Sequence, residues 1–150
     1  MGTLYSTIYQ KALFRIKDYS LAELSEEEVS RILNFYLNSA ISDFSPLCKE
    51  NLKQSPDAPE SFEDELSAEV QEILALGISF YWLSAQVLNE DVLRNSLSTK
   101  DYTYFSPANL LREMQTLRDE VRKEYRQKMY IYTYRQGDIG TLSEIGRAHV

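Results

Sequence analysis

The stretch ILALGISFYWLSAQVL, residues 73–88, decides what kind of protein this is. It is the most apolar run in the chain, but its 16 residues include Gly77, two serines and Gln86. A bilayer span needs about 20 mostly apolar residues, so the better reading is a buried helix. Leu66, Val70, Ile73, Leu74, Ile78, Tyr81, Trp82, Ala85, Val87 and Leu88 cover much of the circumference of a helix from about Ser67 to Leu88, extending toward Leu97. Only the centre of a bundle, covered by several neighbours, can hide so broad an apolar surface. Gly77 sits inside it at a propensity penalty of about 1 kcal/mol, which suggests a place where another helix comes close.

Working outward, the run SEEEVSRILNFYLNSAISDF at 25–44 gives the clearest helix start. Ser25 and Glu28 have capping-box spacing, and acidic residues there suit the positive end of the helix dipole. Val29, Ile32, Leu33, Tyr36, Leu37, Ala40, Ile41 and Phe44 then recur every three or four residues, until Pro46 stops the helix. A shorter first helix is expected over 4–16, with Leu4, Ile8, Leu13 or Phe14, and Ile16 on its stripe. Between 47 and 65, two prolines among polar and acidic residues mark an exposed linker. The five acids between Asp57 and Glu65 lack the alternate spacing and central Gly of a calcium loop, so they are expected to be solvated.

The junction KDYTYFSPANLLREM at 100–114 launches a fourth helix. Ser106 can cap it, and Pro107 stands in the first turn, where its missing N–H is harmless. Tyr102, Tyr104 and Phe105 are expected to anchor the connection. Leu110, Met114, Leu117, Val121 and Tyr125 then form a narrow stripe, with Arg112, Arg118, Arg122 and Arg126 facing outward. Beyond it, Tyr130, Tyr132 and Tyr134 alternate with Ile131 and Thr133, which is strand periodicity. Such a strand is either an unravelled end or a segment that adds to a neighbour's sheet edge.

At 150 residues, with five Gly and four Pro, the chain suits one domain built from long helices. One cysteine excludes a disulfide-stapled scaffold, and no basic-then-apolar leader is expected at the start. The net charge of −7 is segregated. Residues 18–72 carry 14 acids against three bases, whereas residues 112–135 carry seven bases against four acids. That asymmetry can steer like molecules into register, and the overall acidity argues against duplex DNA as a direct ligand.

Cys48 has no histidine near it in sequence, since His149 is the single one. No phosphate-binding glycine loop, no H-E-x-x-H and no E-x-x-H pair occurs. No catalytic, cofactor-binding or metal-ligating residue is assigned, and no cofactor is expected. Stacking of Tyr102, Tyr104 and Phe105 on single-stranded nucleic acid is disfavoured by Asp101 among them.

Three segments, EEEVSRILNFYLNSAISDF at 26–44, VQEILALGISFYWLSAQVLNEDVLRNSLSTKDYTYFSPANLLREMQTLRDEVRKEYR at 70–126 and YTYRQGD at 132–138, resemble the head–tail connector (adaptor) proteins of tailed bacteriophages that infect Gram-positive bacteria. The resemblance covers most of residues 25–138 and lies in the order of these segments and the LSTKDYTYFSPANLL junction. It implies a subunit of a homo-oligomeric ring in the virion neck, assembled in the host cytoplasm. The portal protein would lie on one side and a neck or tail-completion protein on the other, with DNA only passing through the ring. No small-molecule substrate and no membrane are implied. By the same analogy Tyr130, Tyr132, Tyr134 and Arg135 are candidates for a portal-docking arm, and Arg118, Arg122 and Arg126 for a subunit interface. The other reading is a generic helical interaction or regulatory protein of a phage or its host.

The final residues EIGRAHV, 144–150, read in frame like a common short-read sequencing adapter. The expectation is therefore a single all-α domain over 1–143, a bundle of about four helices with an extended C-terminal segment from about 130, followed by seven non-native residues.

Overall fold

The computed structural model describes residues 2–16, 24–96 and 110–136. The junction residues Tyr102, Tyr104, Phe105, Ser106 and Pro107, and everything after Gln136, lie outside the described residues. What is described is all-α: α1 (Tyr5–Ile16), α2 (Glu26–Phe44), α3 (Ala68–Ser96) and α4 (Leu110–Gln136).

The helix α3 is the hub on which α1, α2 and α4 all pack. Ile73, Leu74, Ala75 and Leu76 are consecutive and all completely buried, which a helix achieves only when neighbours stand around most of its circumference. Ile78, Trp82 and Leu83 continue the core, and Val87 joins Leu111 and Met114 in a smaller cluster toward the other end. Ser79 is buried among these residues, and its hydroxyl donates to the Ala75 carbonyl one turn back at 3.0 Å, so no polar atom is stranded.

Gly77 faces both α2 and α4. A Cβ built there would lie 2.5 Å from the Ala40 Cβ and 2.9 Å from the Tyr125 hydroxyl, closer than packed atoms tolerate. The close approach suggested by a glycine inside the apolar pattern is therefore present, and it involves two neighbouring helices.

The cap of α2 is as expected, with the Ser25 hydroxyl accepting the Glu28 amide at 3.2 Å. Leu33, Leu37, Ala40 and Phe44 form its fully buried stripe. For α1 the stripe shifts: Tyr5, Ile8, Tyr9, Ala12 and Ile16 are buried, whereas Leu4 is 54% and Phe14 78% exposed. Ile8 and Ile16 are buried as expected, and two tyrosines join them: Tyr5 packs its ring against Phe62, at a centroid distance of 4.8 Å, and the Tyr9 hydroxyl accepts from Asn34 of α2.

That Phe62 corrects the reading of 47–65 as an exposed linker. The segment pairs with the N-terminal residues through isolated bridges, Leu4 with Ser61 and Gln54 with Phe62. Phe62 N–H donates to the Thr3 carbonyl at 2.8 Å, and Tyr5 N–H donates to that of Glu60 at 2.9 Å. Phe62 is fully buried and Leu66 nearly so, while Asp57, Glu60, Glu63, Asp64 and Glu65 remain exposed. A single aromatic side chain in a polar run leaves no periodicity to read, yet Phe62 helps to pin the segment onto the core.

The strand expected over 130–134 is also corrected, because these residues are the last turns of α4. After Tyr125 the steps of four and three continue through Met129 to Tyr132, and Tyr132 is 1% exposed against Phe44. Burial of that ring outweighs the β-preference of Tyr, Ile and Thr, since propensity is weaker than packing.

Candidate functional site

The polar side chains between the helices are spent on holding the bundle together. From α1, the Arg15 guanidinium donates to Glu72 of α3 and forks onto both carboxylate oxygens of Glu124 of α4, at 3.2 and 3.3 Å. On the other side of α3, the hydroxyls of Tyr81 and Tyr125 both donate to Oδ2 of Asp43 in α2, the second at 3.1 Å. Burial, reinforced by the Asp43 charge and hydrogen bond, pushes the Tyr81 hydroxyl up to about 12. Burial raises Tyr125 further still, with Asp43 and Tyr81 adding to the effect.

A third node lies at the end of α4. The Tyr132 hydroxyl accepts the Lys49 amide at 2.9 Å and stands 3.9 Å from Cys48 Sγ. Burial pushes the Cys48 thiol up, which makes it a poorer nucleophile at neutral pH. Every buried side-chain polar atom among the described residues has a partner. Among the same residues no group of three or more His, Cys, Asp or Glu is placed to hold a metal.

The surface depressions are shallow and open. One of about 600 Å³ lies along α1, over Lys11, Phe14 and Arg15. Another, of about 460 Å³, runs from Phe35 to Asp43 and Tyr81. Arg15 in the first and Asp43 in the second are already hydrogen-bonded within the bundle.

The outer face of α4 is different, because its charged groups are turned away from the subunit. Arg122, Lys123 and Arg126 are exposed around a depression of about 370 Å³ that also includes Asp119. None of these three cations pairs with an acid among the described residues. One and two turns beyond Arg126, Tyr130 is 71% and Tyr134 67% exposed. The two residue sets singled out in the sequence, the arginines and the tyrosines, thus share one helix face.

Three members leave that face. Arg118 is only 30% exposed and its guanidinium binds its neighbour Asp119 at 3.1 Å. Arg135 turns back to Glu69 of α3 at 3.1 Å. Tyr132 is buried, so any docking role falls to Tyr130 and Tyr134.

Sequence reasoning missed Lys123, which completes the basic cluster, and Phe35, which stands 69% exposed on α2. Both were legible: each falls off the apolar stripe of its own helix, and an aromatic residue off the stripe must face outward. The Asp43 node was not, because it joins three helices whose relative rotation no sequence period specifies. No helix among the described residues is long and apolar enough to cross a membrane. Comparison with protein-family models, curated proteins and solved structures returned no match.

Proposed function

We propose that this protein is a structural adaptor of a phage neck, a ring-forming subunit that joins the capsid portal to a tail or neck-completion protein. The reading is supported by the order of the three connector-like segments, of which 26–44 is α2 and 70–126 runs from α3 into α4. The single observation that carries it is the outer face of α4, where Arg122, Lys123, Arg126, Tyr130 and Tyr134 contact nothing in their own subunit strongly enough to be covered. Tyrosine and arginine are among the residues enriched at protein interfaces, because each combines a broad contact surface with a polar tip. Catalysis by this subunit forms no part of the proposal.

The second reading, a helical interaction protein of a phage or its host, draws on the same exposed face and differs only in the partner. Electron microscopy of the protein mixed with the portal of its phage separates the two. An adaptor decorates the portal vertex with a ring of defined copy number. A protein that leaves the portal bare and binds another component as a monomer or dimer belongs to the second class.

A further inference from the structure

We infer that the outer face of α4 docks on the outer face of α2 in a second copy of this chain, in a parallel register that sets Arg126, Tyr130 and Tyr134 against Glu27, Arg31 and Phe35. The inference rests on the assembly part of the reading above and adds which surfaces meet. All six residues are exposed, and each trio advances by four positions along its helix. Four residues rise about 6 Å, so both trios have the same pitch.

The chemistry matches at each step in that register. Arg126 meets the carboxylate of Glu27, the guanidinium of Arg31 meets the ring of Tyr130, and Phe35 meets Tyr134. The surroundings reinforce the first contact. Glu26, Glu27 and Glu60 border a depression of about 540 Å³ that also includes Arg31, whereas three cations and one acid border the depression on α4. Each surface thus carries an excess of the charge that the other lacks. Antiparallel alignment would place Arg126 on Phe35 and Glu27 on Tyr134, forfeiting the ion pair.

Rows of residues four apart are the ridges that interlock when two helices cross at about −50°, the commonest packing of helices in globular proteins. The two faces differ, so the contact is head-to-tail. Repetition of such a contact closes into a ring, or continues as a filament if the rotation does not close.

The test uses the full chain, with assembly followed by light scattering and mass photometry and folding followed by circular dichroism. Glu27→Arg or Arg126→Glu alone is expected to raise the concentration for half-assembly about tenfold or more, because like charges then face each other. The double variant should return close to wild type, since opposite charges again face each other at every contact, and a mixture of the two single variants should recover assembly wherever the two alternate. Phe35→Ala and Tyr134→Ala should weaken assembly with no loss of helicity. Assembly that ignores the reversals, or reversals that no partner change rescues, overturns this pairing and leaves the adaptor reading standing. A wild type that stays monomeric also overturns the pairing, and if it leaves the portal bare as well, the adaptor reading falls with it.

Discussion

The hydroxyl of Tyr132 accepts the backbone N–H of Lys49 at 2.9 Å, tying the last turns of α4 to the chain just after α2. The ring itself stands edge-on to Phe44, with centroids 5.1 Å apart. This one side chain performs two tasks, and substitutions separate them. Tyr132→Phe keeps the ring and leaves the Lys49 amide without its acceptor, which should cost about 1–2 kcal/mol in urea unfolding. Tyr132→Ala also opens a cavity and should cost about 3–5 kcal/mol. Equal losses from the two variants would show that the ring contributes nothing beyond its hydroxyl.

Gly77→Ala sets helix propensity against packing. Alanine gains about 1 kcal/mol over glycine in a helix, but its methyl group would stand 2.5 Å from the Ala40 Cβ. Overpacking of a well-filled core costs about 1–3 kcal/mol, so the net effect should be destabilising. Ala40→Gly in the same chain should recover part of the loss, because it removes the atom that is struck. A Gly77→Ala protein more stable than wild type would mean that α2 does not approach α3 at this point.

High pH should unfold the protein through its tyrosines. Tyr81 in the folded chain is pushed up to about 12 from an ordinary value near 10, and Tyr125 is raised as well. Stability from these groups is therefore fully present below pH 10 and is lost as pH climbs toward and past 12, where the unfolded chain ionises first. Asp43→Asn removes the neighbouring charge, so Tyr81 should titrate at lower pH by phenolate absorbance, and stability should fall less steeply above pH 10. An unchanged tyrosine titration in that variant would remove Asp43 as a cause.

The ion pairs of Arg15 and Arg135 should differ in worth. Arg15 bridges two carboxylates from two other helices with its side chain 31% exposed, whereas the Arg135 side chain is 65% exposed over a single partner. Replacement of Arg15 by Met should cost about 1 kcal/mol, and more in low salt than in high. Replacement of Arg135 by Met should cost about 0–0.5 kcal/mol, since solvent already screens that pair. Thermal unfolding at two ionic strengths measures both.

Much of this architecture was legible in the residues themselves. The broad apolar surface of 73–88 marks α3 as the centre, and Ser25 with Glu28 marks where α2 begins, because both depend on neighbours one helical turn apart. The exposed linker and the terminal strand were misread for one shared reason. Phe62 stands alone in a polar run and Tyr132 fits both an alternating and a helical spacing, and each is decided by Tyr5 and Phe44, residues far away in the chain.

Sequence alone determined that the chain is built from long helices, where α2 is capped, and the segregation of charge, since local periodicity and composition are properties of the chain before it folds. Only the tertiary structure decided how the helices are rotated about their axes. That rotation turns Tyr132 inward, Tyr130 and Tyr134 outward, and gathers Asp43, Tyr81 and Tyr125 around one oxygen. Which partner a buried face meets is settled by the packing of distant residues against it, and no local spacing carries that information.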